Sequence, residues 1–388
     1  MTRTMIRIAA LCTFTLLGCA AAAQTRVGFI GTFSGPGAAL GQDQFDGFML
    51  AVEQKGGKLG GSPVNVIKED DQLKPELGVQ LVQKLVEKEK VDLITGITFS
   101  NVMMATAKPL AAGNQIFVGS NAGPAALAGS QCNANFFFTS WQNDALAEVL
   151  GKYANEKGYR KVVMLAPNYQ AGKDSITGFK RYFKGTVVGE IYTQLNQPDY
   201  AAELAQVEAL APDAVYAFFP GGMGINFIKQ MKQAGLLSKI PLLTVAAADG
   251  TTLPALKESA EGVLMGAHWG PDFTNPANKA FVAAFEAKYK RIPSQYAAQS
   301  FDAAMLIDSA LSKTGGSAAN KAALRDALRQ AKFESVRGPF SFSKNGFPVQ
   351  DMYVFQVAKD DKGRTSLKTI ASPLKAHADA YVAECPLR

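Results

Sequence analysis

The chain has 388 residues, 47% of them apolar and 19% charged. That is too long for one ordinary core and suits two domains, and the composition excludes a disordered or fibrous chain. The formal charge of +7 is spread over Lys and Arg interleaved with Asp and Glu, which argues against a nucleic-acid-binding stripe.

The chain opens with Arg3 and Arg7 and no acid, then an apolar stretch over 8–18, then alanines over 20–23. This is the layout of a secretory leader, and its apolar part is too short to span a bilayer. Removing it takes both arginines and lowers the charge from +7 to +5. Two processing routes compete. Ala21-Ala22-Ala23 offers a cleavage site that leaves Gln24 first, whereas Leu16-Leu17-Gly18-Cys19 resembles a lipoprotein box with Cys19 as the lipidated residue. Soluble release to the periplasm is the favoured expectation, lipid anchoring the alternative. Cys132 and Cys385 are then the mature cysteines; an even count in an oxidising compartment predicts a disulfide, with two buried thiols as the alternative.

After the leader, residues 27–33 form a short apolar run that ends in Ser34-Gly35-Pro36-Gly37, a buried strand before a turn. A helix is predicted over 42–55, with Phe45, Phe48, Met49 and Val52 on one face, and Gly56-Gly57 stops it. Strands at 64–68, 92–96, 115–119 and 135–140 alternate with helices at 75–88 and 101–112. The alternation restarts with strands at 161–166, 187–192, 213–219, 241–245 and 262–268 and helices at 174–183, 200–210 and 225–234. Helical spacing returns at 278–289, 296–312 and 320–331, and a last strand at 352–358 follows. The pattern predicts two α/β lobes, each a mostly parallel sheet flanked by helices. The leftover helices and strand suggest lobes that exchange segments at a multi-strand hinge. The expected partition is 1–23 as leader, 24–142 with 269–347 as lobe 1, and 143–268 with 348–388 as lobe 2. Ligands in such sheets bind beyond the carboxyl ends of the strands, so two facing lobes make one cleft.

Catalytic motifs are missing. The only histidines are His268 and His377, and no H-x-x-x-H, C-x-x-C, G-x-S-x-G or Walker A pattern occurs. Gly35-x-Gly37-x-x-x-Gly41, followed by a strand ending in Glu69-Asp70, is a loose dinucleotide fingerprint and supports a secreted oxidoreductase as the rival class. Its relaxed spacing and the export signal count against that class. The expectation is a non-enzyme with no cofactor and no metal.

Several stretches taken in order carry a resemblance. They are VGFIGTFSGPGAALGQDQFDGFMLAVEQKGGKLGG with VNVIKEDDQ, VDLITGITFSNVMMATAKPLAAGNQIFVGSNAGPAAL, DAVYAFFPGGMGINFIKQMKQAGL and NPANKAFVAAFEAKYKRIPSQYAAQSFDAA. Together the order and spacing resemble the type I periplasmic solute-binding proteins of the leucine/isoleucine/valine-binding group. FFFTSWQND, LAPNYQAGKDSITGFKRYF and FPGGMGINFIKQ look closer to a branch that takes up aromatic acids. The resemblance implies a monomeric receptor that closes on a small carboxylated ligand and delivers it to an ABC permease in the inner membrane. The ligand would be an aromatic acid by preference, or a branched-chain amino acid.

The resemblance also implies a site. Phe99-Ser100-Asn101 stands where a strand ends and a helix begins, and Ser100 matches the hydroxyl that holds the ligand carboxylate; a plain N-cap serine is the bland alternative. Ser120-Asn121-Ala122-Gly123 matches a second loop whose backbone N–H groups hold the same carboxylate, with Ala122 where the family keeps a hydroxyl. Trp141 and Trp269 stand at the two crossovers, as pocket walls or as hinge packing. Tyr169 matches a tyrosine that closes over the ligand, and Gly221-Gly222 allow close backbone approach. Asp249 matches an acid that amino-acid receptors keep for the ligand's ammonium and that equally accepts from a phenolic hydroxyl; a loop aspartate before Gly250 is the alternative.

Overall fold

The computed structural model describes residues 24–387. The expected leader and Cys19 lie outside the described residues. In chain order the first unit holds β1 (Thr25–Gly31), α1 (Ala38–Gln54), β2 (Lys58–Leu59), β3 (Ser62–Asp70), α2 (Pro75–Gln83), β4 (Leu93–Gly96), α3 (Ser100–Ala112), β5 (Ile116–Gly119), α4 (Ala125–Ala128) and β6 (Phe136–Phe138). Next come α5 (Ala145–Glu156), β7 (Lys161–Pro167), α6 (Gln170–Tyr182), β8 (Thr186–Thr193), α7 (Ala201–Leu210), β9 (Ala214–Phe218), α8 (Gly222–Gln233), β10 (Leu242–Val245), α9 (Leu253–Leu256) and β11 (Leu264–Ala267). The chain ends with α10 (Pro276–Tyr289), α11 (Gln295–Lys313), α12 (Lys321–Arg329), β12 (Ser341–Phe342), β13 (Pro348–Lys359) and β14 (Thr365–His377).

The strands make two sheets. One runs β2-β3-β1-β4-β5-β6, and the other runs β12-β13-β11-β10-β9-β7-β8 with β14 on β13. The inner pairs are parallel and the edges at β2 and at β12, β13 and β14 are antiparallel. The central strands β4, β5, β9, β10 and β11 are buried along their whole length, which explains their unbroken apolar runs. Phe281, Phe285 and Phe301 of α10 and α11 share one core with Val27 and Phe29 of β1, so the late helices return to the first sheet. The fold is thus two α/β lobes joined by several crossovers, the class expected from the alternation.

The crossovers meet at one buried arginine. Arg337 binds Asp302 at 3.0 Å and donates to Gln350 Oε1 at 2.6 Å, to Ser140 O at 3.3 Å and to Thr139 O. Gln350 Nε2 donates to Ser140 O at 2.9 Å. The strand leaving the first sheet and the strand entering the second are therefore held side by side by one guanidinium, whose fork suits several acceptors at once. His268, on a third crossover, is buried against Trp141 at 5.2 Å, and neither ring nitrogen has a hydrogen-bond partner among the described residues. Burial and the Arg337 charge hold it well below the ordinary histidine value, so it stays neutral.

The cysteine pair is joined. Cys132 and Cys385 form a disulfide with a Cα–Cα distance of 5.6 Å. It ties the tail to the segment between α4 and β6. Before that bond the tail touches the other lobe, where Tyr381 donates to Asp144 at 2.8 Å.

Candidate functional site

The lobes face each other across the carboxyl ends of their strands. Between them lies a narrow cavity of about 30 Å³. Its first-lobe wall is Thr98, Phe99, Ser100, Asn121 and Ala122, its second-lobe wall Tyr169, Phe218, Pro220 and Ala246, and Leu40, Trp141 and Tyr296 close the ends. The lobes are in contact here. Phe99 and Tyr169 approach to 6.4 Å across the cleft, and Tyr169 stacks on Phe218 at 6.2 Å. Asp174 of α6 accepts from the Ala125 N–H of α4 at 3.2 Å.

One end of the cavity is built to donate. Ser100 begins α3, where the first backbone N–H groups lack helical partners and the helix dipole is positive. Asn143 Nδ2 donates to Ser100 Oγ at 3.0 Å and to Asp174 Oδ2 at 2.9 Å, which spends both amide hydrogens. Asn143 Oδ1 accepts from Gly123 N at 3.1 Å. Ser100 Oγ is thereby an acceptor already, and its own hydrogen is free for an anion. Burial raises the Asp174 carboxyl, and its hydrogen bonds from Asn143 and Ala125 pull it back.

The second loop behaves differently from expectation. The N–H groups of Ser120 and Ala122 donate to Gly96 O at 3.3 Å and Ile97 O at 3.2 Å, and Gly123 N is held by Asn143. Asn121 is also occupied: Nδ2 donates to Thr98 O at 2.5 Å and Oδ1 accepts from Gln299 at 2.9 Å. The loop fixes the wall with these groups and leaves the Asn121 N–H, with no partner among the described residues, as a cavity donor beside Ser100. A Cβ at Gly123 would lie 2.0 Å from Trp141 O, so only glycine lets the first crossover pass this close.

The other end carries groups with no partner. Tyr296 lines the cavity, and its buried hydroxyl, a neighbour of Asp249, makes no well-formed hydrogen bond among the described residues. Asp249 lies behind it, buried to 1% exposure. Its Oδ1 accepts from Thr251 N and Thr251 Oγ1 at 2.8 and 2.6 Å, while Oδ2 has no partner. Burial pushes Asp249 up to about 6, and its charge and burial together push the Tyr296 hydroxyl well above the ordinary tyrosine value. The two perturb each other as hydrogen-bonding neighbours, although no bond between them reaches good geometry among the described residues.

Tyr296 is placed by a chain of contacts inside its own lobe. Arg291 binds Asp43 at 2.6 Å, Asp43 accepts from Ser294 N at 3.0 Å, and Ser294 Oγ caps α11 through Tyr296 N at 3.1 Å. Asp43 is raised from the ordinary carboxyl value by burial, against the pull of Arg291.

The structure therefore brings Phe99, Ser100, Asn121, Ala122, Trp141 and Tyr169 to one cavity. Asn101 turns to Leu73 O at 3.5 Å. Gly221, at φ +62, and Gly222 face Pro36 of the opposite lobe; a Cβ on Gly221 would sit 2.8 Å from Leu40 and 3.1 Å from Pro36 O. They let the lobes meet, and the Gly35–Gly37 turn is used in that contact. Trp269 lies outside this cavity. Its Nε1 donates to Asn278 at 2.7 Å and its ring packs on Phe281, so it belongs to the first-lobe core and to the wall of a neighbouring cavity. Asn143, Phe218 and Tyr296 were missed by the sequence. The serine cap before Tyr296 was the one available signal.

The family described as periplasmic binding protein matches residues 24–363. The Leu/Ile/Val-binding protein homolog 6 of Brucella melitensis is 31% identical over 374 residues, covering 92% of this chain and 94% of that protein. Among solved structures, a solute-binding protein of an ABC transporter from R. palustris in complex with benzoate is 33% identical with a TM-score of 0.89, covering 94% of this chain and 100% of that one. A second, from Rhodopseudomonas palustris BisB5 in complex with 3,4-dihydroxybenzoic acid, is 29% identical with a TM-score of 0.85, covering 92% and 99%.

Proposed function

The chain belongs to the periplasmic binding protein family, and from that premise we propose that it captures a ring-bearing carboxylate, best a hydroxylated benzoate, for delivery to an ABC permease. The observation that carries this is the polarity of the cavity. One cavity holds the donor Ser100 at the start of α3, Tyr296 backed by the Asp249 carboxyl, and the rings of Phe99, Trp141, Tyr169 and Phe218. A flat ring with a carboxylate at one end and a hydroxyl at the other matches that order of groups. Benzoate and dihydroxybenzoate in the two similar structures support the same class. The cavity is narrow and bridged by both lobes, so entry requires the lobes to part and reclose. The ligand favours the closed form because it touches both. The catalytic function is none; Ser100 acts as a hydrogen-bond donor.

A second proposal rests on Asp249. A buried, unpartnered carboxylate oxygen suits an ammonium, which favours a branched-chain amino acid. Its place behind Tyr296, rather than on the cavity wall, weighs toward the hydroxyl. Thermal-shift titration of the mature protein separates the two. Ligand at a hundred times its Kd adds about 2.7 kcal/mol of stability. We expect 4-hydroxybenzoate to shift the transition and leucine to leave it unmoved; the reverse order overturns the aromatic assignment.

A further inference from the structure

A second cavity, much larger at about 430 Å³, lies between the lobes beside the first. Its walls come from both lobes. Residues 290–295, with Trp269, face Gly250, Leu253 and the β13–β14 end of the second sheet. Gly250 and Gln295 line this space, whereas Ala246 and Tyr296 line the other, so Asp249 and Tyr296 form the partition.

Three features give this cavity a chemistry of its own. Its floor is apolar, made by Leu253, Met265, Trp269, Ile292 and Leu367. Five cations and one acid, Glu258, line it; Arg291, Lys359 and Arg364 are paired with carboxylates, Lys359 with Glu258 itself, while Lys257 and Lys290 enter no ion pair among the described residues. The third feature is the start of the 19-residue α11 at Gln295, whose positive helix end adds to the two lysines.

We propose that this cavity is a second binding site, for an amphiphilic monoanion: a carboxylate on a flexible apolar body. The carboxylate meets Lys257, Lys290 and the start of α11, and the body lies on the Leu253–Trp269–Leu367 floor. Because the walls belong to different lobes, an occupant has contacts that depend on how the lobes sit. It is therefore linked to the first site, and the coupling is reciprocal.

Decanoate is the probe, titrated calorimetrically into the full mature chain with and without saturating 4-hydroxybenzoate. Saturable one-site binding is expected in both titrations. Decanoate and 4-hydroxybenzoate should change each other's Kd by the same factor. The double variant Lys257→Glu, Lys290→Glu should weaken decanoate at least tenfold; both lysines are exposed, so the double variant keeps its fold, which circular dichroism checks. Decyltrimethylammonium, with the same tail and opposite charge, should not bind. No saturable heat, complete displacement of decanoate by 4-hydroxybenzoate, an unaffected lysine double variant, or equal binding of the cation each overturns the site. The titration without 4-hydroxybenzoate reads this cavity alone, so a failure of the aromatic assignment is seen separately.

Discussion

Replacing Tyr296 with Phe separates recognition from packing, because the two predict opposite signs. The hydroxyl is buried and unpaired in the protein by itself. An unpaired buried hydroxyl carries a penalty of about 1–3 kcal/mol. Phe keeps the ring against Trp141, at 6.3 Å, and deletes the penalty. The variant should therefore be at least as stable as the parent in urea unfolding without ligand. Benzoate, which offers nothing to the hydroxyl, should bind as well or slightly better. A ligand with a 4-hydroxyl loses its partner and should bind about 1 kcal/mol less tightly, roughly fivefold. The ratio of 4-hydroxybenzoate to benzoate affinity, from calorimetry on both proteins, is the decisive number. Equal weakening of the two ligands, or a clear drop in stability with an unchanged ratio, would refute the reasoning. The first outcome means the ring position matters and the hydroxyl does not; the second means the hydroxyl holds the fold together.

Three further outcomes follow from the same geometry. Ser100→Ala removes a hydrogen bond to an anion, worth about 1.5–3 kcal/mol, and should weaken every carboxylate ligand about ten- to a hundredfold by calorimetry. Asp249 has its carboxyl raised by burial to about 6, so the folded protein holds its proton more tightly than the unfolded chain, whose value is about 4. Its contribution to stability is complete below about pH 4 and is lost as pH rises through about 6; Asp249→Asn should flatten that part of the stability–pH curve in urea titrations. Arg337→Met leaves Asp302 buried with only Ser335 Oγ and Val336 N and takes the guanidinium from Thr139 O and Gln350 Oε1, while Ser140 O keeps Gln350 Nε2, which should reduce unfolding free energy by about 3–5 kcal/mol.

The sequence was most legible where burial repeats. Apolar runs at β4, β5, β9 and β10 have no polar face, and their alternation with helices announced two α/β lobes. Among the elements that escaped, α5 and β14 are the long ones. No element is expected over 145–156, although Leu146, Val149, Leu150, Tyr153 and Ala154 of α5 have helical spacing and are all buried. β14 was harder: it is an edge strand with register shifts, mostly half-exposed, and it contains Pro373, so neither alternation nor an apolar run marks it.

The site was less legible for a related reason. The expected helices began at 101, 174 and 225, but α3, α6 and α8 begin at Ser100, Gln170 and Gly222. The missing turns are the ones that face the opposite lobe. Their residues answer to a surface distant in sequence and so show no period within their own helix. Gly221 is fitted to Pro36, and Asp174 to Asn143 and Ala125. Tyr296 is the extreme case. It reaches the cavity from a helix that begins some 150 residues after Trp141, and it is aimed by Asp43 through Ser294. No window along the chain contains that relation. The groups left unpaired there, Tyr296 and Asp249, are also where local sequence rules fail, since a core that specified only its own stability would have paired them or replaced them with apolar residues. Unpaired buried polar atoms at a lobe boundary are thus the feature that the fold alone does not explain, and a ligand that brings the missing partner does.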